Sequence, residues 1–141
     1  SIIIDGEQGD NMGAGIVLLL GVAKEDTPDD IDWLLKKCLE LRIFEDEEGK
    51  MNHSILSTYG EIMIVSQFTL FGNVKKGNRP SFNRSAHPDI AIPLYKQFVT
   101  QVKNRIGAEK VHTGKFAAHM DVSLVNDGPV TMLLDSKNKA L

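Results

Sequence analysis

The stretch Ile62-Met63-Ile64-Val65-Ser66-Gln67-Phe68-Thr69-Leu70-Phe71 is the strongest strand candidate in the chain, and it ends at Gly72. Its first half is solidly apolar, as in a central strand that is covered on both faces. Its second half places Ser66, Gln67 and Thr69 in the same apolar context. Because buried polar groups need hydrogen-bonding partners, these three either bond to neighbouring backbone or line a site. The stretch therefore predicts the centre of a sheet and, at its end, a candidate site.

Two amphipathic helices flank this strand in the sequence. Thr27-Pro28-Asp29-Asp30 begins the first, with threonine as N-cap, proline in the first turn and carboxylates where the helix dipole favours them. The second covers about Ala91 to Ile106, closes at Gly107 and tolerates Pro93 only in its first turn. Each helix carries one apolar face that predicts packing on the sheet: Ile31, Leu34, Leu35, Cys38 and Leu39 in the first, and Leu94, Tyr95, Phe98, Val102 and Ile106 in the second.

Shorter apolar runs predict the remaining strands. They lie at Ser1–Ile4, Gly15–Val22, Lys110–His112, Ala117–Val125 and Val130–Leu134. We expect the first two to be neighbours and Gly15–Val22 to be fully buried. The acidic run Glu45–Glu48 before Gly49 indicates a solvated hairpin or loop. Strands outnumber helices, so the fold class is α+β (mixed α/β), with one domain over residues 1–141 and the helices on one side of the sheets.

Composition limits the function. With 42% hydrophobic and 25% charged residues the chain is an ordinary soluble globular domain, and its longest clean apolar run, Ile16–Leu20, is too short for a membrane span. A single cysteine, Cys38, excludes an internal disulfide and suits a reducing, cytoplasmic compartment. The net charge of −3 argues against non-specific coating of nucleic acid. A local basic cluster nevertheless lies in the long loop Asn73–Pro88: Lys75, Lys76, Arg79 and Arg84.

Asn126-Asp127-Gly128-Pro129-Val130-Thr131 is the second distinctive stretch, and two interpretations of it stay open. Gly128 reaches backbone angles closed to other residues, while Pro129 fixes its own φ and lowers the cost of a cis bond. The pair would then form a shaped main-chain surface. Asp127-Gly128 between apolar runs instead predicts a hairpin turn, which this stretch taken alone favours.

No residue pattern indicates a strong catalytic base. The four histidines are scattered, no metal-ligand spacing occurs, and phosphate-binding glycine motifs are missing. What remains is a site made of strand hydroxyls, an amide and main chain beside a basic loop. Such a site suits a substrate that is already activated, where positioning and hydrogen bonds to the developing oxyanion provide the acceleration. Esters of a ribose hydroxyl fit that description.

Ser66-Gln67-Phe68-Thr69-Leu70, together with Asn126–Thr131, closely resembles the two signature motifs of the D-aminoacyl-tRNA deacylase family of bacteria and eukaryotes. Lys76-Gly77-Asn78-Arg79-Pro80-Ser81-Phe82 resembles a loop of that family, and the order of elements agrees over essentially the whole chain. The resemblance implies a homodimer without cofactor or metal. It also implies hydrolysis of the ester that joins a D-amino acid to the terminal adenosine of tRNA, with some activity on glycyl-tRNA.

The resemblance further implies which residues form the site. Gly128-Pro129 would be a cis bond that reaches across the homodimer into the partner's site, where its carbonyls meet the substrate α-ammonium and exclude an L side chain. Thr69, Ser66 and Gln67 would lie beside the scissile ester. We assign Thr69 a positioning or oxyanion-side role, and our hypothesis is that the ribose 2′-hydroxyl assists the attacking water in place of a protein base. Other substrate contacts would come from Phe68, Phe82, Ala117, Ala118 and Met120. The tRNA phosphates would bind Lys75, Lys76, Arg79 and Arg84.

Two departures from the family pattern stand out. The family has another short strand with a Gln-Arg pair before the position of Ser1, and a chain without it would lose an element of its sheet. The family usually has glycine at the position of Ala117, where a Cβ would narrow the approach to the backbone or demand φ below zero.

Two other functions are compatible with the same fold. One is a non-catalytic nucleic-acid-binding factor associated with DNA replication, which would not need both signature motifs. The other is a detached editing domain like that of archaeal threonyl-tRNA synthetases, which would remove L-serine, and a Gly-Pro selector should forbid that substrate.

Overall fold

The computed structural model describes the whole chain, Ser1–Leu141, and its centre is a three-stranded parallel sheet. The order is β3–β6–β7, so the strongest sequence signal forms the middle strand, as expected. The register runs from Gly15 opposite Glu61 to Leu20 opposite Ser66. The strands are β3 (Gly15–Leu20), β6 (Glu61–Ser66) and β7 (Val111–Thr113).

Strand β6 is buried from both faces, which explains its unbroken apolar run. Ile62 and Ile64 belong to the main core beneath the helices, whereas Met63 and Val65 pack with Ile2 on the opposite face. All four side chains are at most 2% exposed. Burial of this kind contributes about 1.5–3 kcal/mol per large side chain.

The main helices cover one face of the parallel sheet, as predicted. Helix α1 (Pro28–Glu40) begins after Thr27, whose backbone N–H donates to the Asp30 carboxylate at 2.9 Å. A short helix, α2 (Ile55–Thr58), follows, and α3 (Pro88–Ile106) is the longest element. The buried residues on α1 and α3 are Ile31, Leu35, Leu39, Ala91, Tyr95, Phe98, Val99 and Val102.

A second, antiparallel sheet covers the other face. Its order is β2–β1–β8, with β1 (Ile2–Ile4) in the centre, β2 (Glu7–Gln8) and β8 (Met120–Val122). A separate hairpin of β4 (Phe44–Glu45) and β5 (Met51–His53) encloses the acidic run, which confirms the predicted hairpin. No helix combines the length and the apolar character that crossing a membrane requires.

The prediction that the first two strands are neighbours is wrong. The chain turns at Asp5 and Gly6, both with positive φ, and β1 therefore pairs with β2 and later with β8. Strand β3 lies in the other sheet, ends at Leu20 rather than Val22, and is half-buried for most of its length. Since β3 is an edge strand, it has sheet on only one side.

The prediction of a strand through Phe71 is also wrong. The backbone N–H of Gln67 donates to the Leu20 carbonyl at 2.8 Å, and residues Phe68–Phe71 then form a 3₁₀ turn. Residues Ala117–Val125 keep only three strand residues, those of β8, and Val130–Leu134 form no strand. No strand of this chain pairs with residues Val130–Leu134, so their apolar side chains are not covered by a sheet of the same chain.

Helix α3 begins earlier than predicted. Pro88 occupies its first turn, which puts Pro93 inside the helix rather than in the first turn. Proline there removes one backbone hydrogen bond, and the buried face that follows it compensates for the loss.

Candidate functional site

The parallel sheet brings several predicted site segments to one edge. Strands β3, β6 and β7 run in the same direction, so the segments that follow Leu20, Ser66 and Thr113 all leave the sheet together. The carboxyl edge of parallel strands is the usual place for ligand sites in open sheets. Ser66, Gln67, Thr69 and the segment with Ala117 and Ala118 therefore share this edge.

The turn after β6 presents the hydroxyl of Thr69. The amide nitrogen of Gln67 donates to Oγ1 of Thr69, and the Gly72 N–H donates to the Thr69 carbonyl at 3.0 Å. Thr69 is exposed, whereas Ser66 and Gln67 are half-buried. The expectation that all three lie inside an apolar strand was wrong, because the strand ends before Gln67.

The only side-chain hydrogen bond of Thr69 is the one from Gln67. His112 instead lies between Glu61, at 2.8 Å from Nε2, and Asp10, at 3.5 Å from Nδ1. The His112 hydrogen bond, together with one from the Gly13 N–H, holds the pKa of Glu61 below its usual value. His119 contacts Asp121 at the surface.

An aromatic pair stands beside the Thr69 turn. The rings of Phe68 and Phe82 meet edge to face with centroids 5.0 Å apart, and Phe68 is 57% exposed. A Cβ on Gly72 would lie 3.3 Å from the Phe82 ring, so this glycine allows the ring to approach the turn. The structure thus brings Phe68, Phe82 and Thr69 together, as the sequence motifs suggested.

Sequence reasoning missed two supports of this turn. Gly21 lies behind it, and a Cβ there would meet the Phe71 ring at 2.9 Å and the Gln67 carbonyl at 3.2 Å. The guanidinium carbon of Arg84 in turn lies over the Phe71 ring, 5.4 Å from its centroid. The sequence signal that could have indicated this close backbone approach is the position of Gly21 directly after the apolar run Ile16–Leu20.

The basic loop is tied to the same edge. Lys24 donates its backbone N–H to the Arg84 carbonyl at 3.1 Å, and Ala23 pairs with Ser85. Within the loop, Asn73 and Ser81 pair across its base. The side chains at its tip are exposed to solvent and make no ion pair: Lys75, Lys76 and Arg79.

The Ala117 segment follows β7. Ala117 has φ of +65°, so the expected alternative of φ below zero is wrong and the residue adopts the left-handed conformation that glycine prefers. The Ala118 N–H donates to the Lys115 carbonyl at 3.2 Å. Met120 lies in β8 opposite Ile4, and its sulfur faces Gly114. These contacts differ from those of Phe82, so within one chain the expected substrate-contacting residues form two groups.

Residues 124–134, here called the arm, contain the second motif. The Gly128-Pro129 bond is cis, with Gly128 at φ of +121°, and both residues are exposed. All hydrogen bonds of the arm are internal, from Asn126 Nδ2 to Thr131 Oγ1 at 2.8 Å and from the Val130 N–H to Asn126 Oδ1 at 3.3 Å. The arm therefore makes no hydrogen bond to the Thr69 turn of its own chain.

Comparisons with known proteins identify the family of the chain. The family model described as D-Tyr-tRNA(Tyr) deacylase matches residues 1–135. A protein of Parabacteroides distasonis named D-aminoacyl-tRNA deacylase is 51% identical over 139 residues, which cover 99% of this chain and 92% of the relative. One of Thermosipho africanus with the same name is 55% identical over 134 residues, or 95% and 89% of the two chains.

Two solved structures are also similar. The one titled c-Myc DNA Unwinding Element Binding Protein has a TM-score of 0.90 and 41% identity, and the match covers 96% of this chain and 91% of that one. A probable eukaryotic D-amino acid tRNA deacylase has a TM-score of 0.73 at 18% identity, covering 85% and 86%, and shows the shared fold. This chain belongs to the D-Tyr-tRNA(Tyr) deacylase family.

Proposed function

We propose that this chain hydrolyses the ester between a D-amino acid and the terminal adenosine of tRNA, which makes it a proofreading hydrolase of translation. The observation that carries the proposal is the name D-aminoacyl-tRNA deacylase on relatives with about half of their residues identical over nearly the full chain. The reaction takes place where tRNA is aminoacylated, in the cytoplasm. Water adds across the ester, and the products are free D-amino acid and tRNA.

A non-catalytic DNA-associated role is the less favoured alternative. The similar structure with a DNA-binding title is 41% identical, whereas curated relatives named as deacylases reach 55%. Both signature motifs are also intact in this chain, and a binding factor would not need them.

Thr69 acts in this proposal as a positioning or oxyanion-stabilising group. Its hydroxyl is held by the Gln67 amide, so its hydrogen can point toward a substrate oxygen. Since no base contacts Thr69, it is not activated as a nucleophile. Ser66 and Gln67 complete the polar wall beside the ester. An aminoacyl ester has a good leaving group, so positioning and hydrogen bonding are sufficient for rapid attack by water.

The arm supplies the chirality filter, and it does so for a second copy of the chain. The support is that Gly128 and Pro129 are exposed and have no hydrogen bond to the Thr69 turn of the same chain. In a homodimer the arm crosses the interface into the partner's site. Main-chain carbonyls there bind the substrate α-ammonium and occupy the direction of an L side chain, so any D-amino acid fits and glycine is partly accepted.

The remaining proposed contacts hold the tRNA end. Phe82 with Phe68, and Ala117, Ala118 and Met120 from the other group, offer apolar surface to the unstacked adenosine. The basic loop offers Lys75, Lys76, Arg79 and Arg84 to phosphates, so binding should weaken with salt. No cofactor or metal takes part in the proposal.

The role of Thr69 is tested with D-Tyr-tRNA as substrate. Thr69→Val removes the hydroxyl while it keeps the shape, and kcat should fall on the order of 100-fold, the usual cost of losing an oxyanion donor. Thr69→Ser keeps the hydroxyl and should retain most of the activity. Wild-type activity in Thr69→Val would eliminate the proposed role.

Which group assists the attacking water is tested by changing the substrate instead of the enzyme. If the terminal ribose 2′-hydroxyl assists the attacking water, a 2′-deoxy 3′-aminoacyl substrate should react at least about 100-fold more slowly, within the usual range for general-base help. Equal cleavage of the two substrates would show that the assistance comes from elsewhere.

A further inference from the structure

The arm is attached to the rest of the chain at two ends. At the near end, Ser1 and Ser123 exchange backbone hydrogen bonds, each of 2.9 Å. Between Ser123 and Asp135 the only hydrogen bonds are the two internal to the arm. Apolar residues along this part are largely exposed, with Val125 at 91% and Leu133 at 61%. Within its own chain, the arm is therefore fixed only through its two ends.

At the far end of the arm, a turn orients the side chain of Lys137. The Asp135 carboxylate accepts the Lys137 N–H at 2.9 Å, and the Asp135 carbonyl accepts the Asn138 N–H at 3.1 Å. This turn directs the Lys137 ammonium to the Asp30 carboxylate, with Nζ 3.0 Å from Oδ2. The side chain of Asp30 is 11% exposed and that of Lys137 is 40% exposed. The contact joins residues that are 107 positions apart in sequence.

Asp30 is a rigid point of attachment. The same carboxylate oxygen accepts the Thr27 N–H at the start of α1, so the helix end fixes its position. Burial alone would raise the pKa of Asp30, but hydrogen bonds from Thr27, Ser136 and Lys137 lower it overall. The Asp30 hydrogen bond correspondingly raises the pKa of Lys137. Both groups are charged over the whole physiological range of pH.

The attachment also lies close to the candidate site. Asp26, Thr27 and Asp30 line a small cavity of about 20 Å³ together with Gly21, the glycine that backs the Thr69 turn. A single loop, residues 21–27, therefore connects the Thr69 turn with the Lys137–Asp30 ion pair.

We propose that Lys137 and Asp30 are positioning residues, whose ion pair fixes the far end of the arm and so places Gly128-Pro129 for chiral discrimination. The proposal rests on the proposed function, because discrimination is the quantity that the arm would control. Lys137 does not touch the substrate and acts only through the arm.

The test compares two neighbouring lysines. Lys137→Met keeps the apolar stem and removes the charge. Lys139→Met is the matched control, because Lys139 lies 5.4 Å from the Trp33 ring and has no carboxylate partner. Lys137→Arg should restore the ion pair. Asp30 is not the preferred target, since its replacement would also remove the hydrogen bond from the Thr27 N–H at the start of α1.

The first readout is backbone ¹⁵N relaxation, which does not depend on activity. In Lys137→Met the order parameters of residues 124–134 should fall from near 0.85 toward about 0.6, while Lys139→Met and Lys137→Arg stay at the wild-type value. Added salt should loosen the wild-type arm and leave Lys137→Met unchanged. An arm equally ordered in Lys137→Met and Lys139→Met would overturn the proposed attachment.

The second readout is the ratio of kcat/KM for D-Tyr-tRNA to that for L-Tyr-tRNA. It should fall about two- to fivefold in Lys137→Met, the range expected from losing a partly exposed ion pair, and recover in Lys137→Arg. A looser arm with an unchanged ratio would overturn the positioning role. If the wild type itself spared D-Tyr-tRNA, the proposed function would fail, and the relaxation data would still decide the attachment.

Discussion

Strand β6 and the arm have similar apolar content and opposite surroundings. In β6, Ile62 and Ile64 are fully buried by the helices, and Met63 and Val65 are covered by the second sheet. In the arm, Leu124 and Met132 are each 57% exposed. The apolar side chains of β6 are buried within the chain, whereas those of the arm are exposed.

The difference separates a part of the sequence that encodes the fold from a part that, in our proposal, encodes an interaction. Residues of a central strand must be apolar to be covered from both faces. An exposed apolar segment that bears a signature motif has another reason to be apolar, and contiguous exposed patches of this kind mark interaction surfaces. We therefore connect β6 with stability and the arm with assembly and substrate selection.

The largest expected effect is on the buried region. Ile64→Ala leaves a cavity at a side chain that is 0% exposed, and it should lower the free energy of unfolding by about 2–5 kcal/mol. Ile64→Val, the conservative control, should cost about 0.5–1.5 kcal/mol. Urea unfolding measures both. A loss of less than 1 kcal/mol for Ile64→Ala would mean that β6 is not the centre of the core.

The next effect concerns the thiol on α1. Burial raises the pKa of Cys38 from 9.0 to about 11, so at pH 8 the native thiolate should be about 100-fold scarcer than in the unfolded chain. Labelling with a thiol reagent should be slower by a similar factor in buffer than in denaturant, and the native rate should rise with pH up to about 11. Equal rates in the two solvents would show that this face of α1 is open.

A smaller effect separates the arm from other exposed apolar surface. Leu124→Asp should weaken the proposed homodimer by about tenfold or more, because it places a charge in a surface that the partner covers. Met51 in β5 has the same exposure of 57% in the single chain, and Met51→Asp should leave the dimer intact. Sedimentation equilibrium measures both. Equal behaviour of the two variants would contradict an interface at the arm.

The smallest effect is at Ala117. Glycine relieves the cost of φ at +65° but adds freedom to the unfolded chain, so Ala117→Gly should stabilise the chain by about 0.5–1 kcal/mol. Ala118 does not have positive φ, and Ala118→Gly should be neutral or destabilising. Thermal unfolding of the two variants decides this; destabilisation by Ala117→Gly would contradict the strained conformation.

Local signals in the sequence were enough for the core. The cap at Thr27 and Pro28 and the apolar spacing that follows gave α1 correctly, and the unbroken run of β6 gave the central strand. These features depend on neighbouring residues and on periodicity, which a sequence displays directly.

Longer-range features could not be predicted in the same way. The alternation of Phe68 and Leu70 fits a strand, but no strand pairs with this segment, and Phe68–Phe71 form a 3₁₀ turn. The apolar Val130–Leu134 likewise fits a strand that this chain does not pair. The Lys137–Asp30 pair joins distant residues without any motif. The family motifs indicated Thr69 and Gly128-Pro129, but not the supports at Gly21 and Phe71.

The most direct test of the central claim is hydrolysis of D-Tyr-tRNA and L-Tyr-tRNA, measured side by side with the wild-type protein. We predict that the D-aminoacyl ester is cleaved and that the L-aminoacyl ester survives at the same enzyme concentration. Equal rates for the two esters, or no cleavage of the D form, would contradict the account.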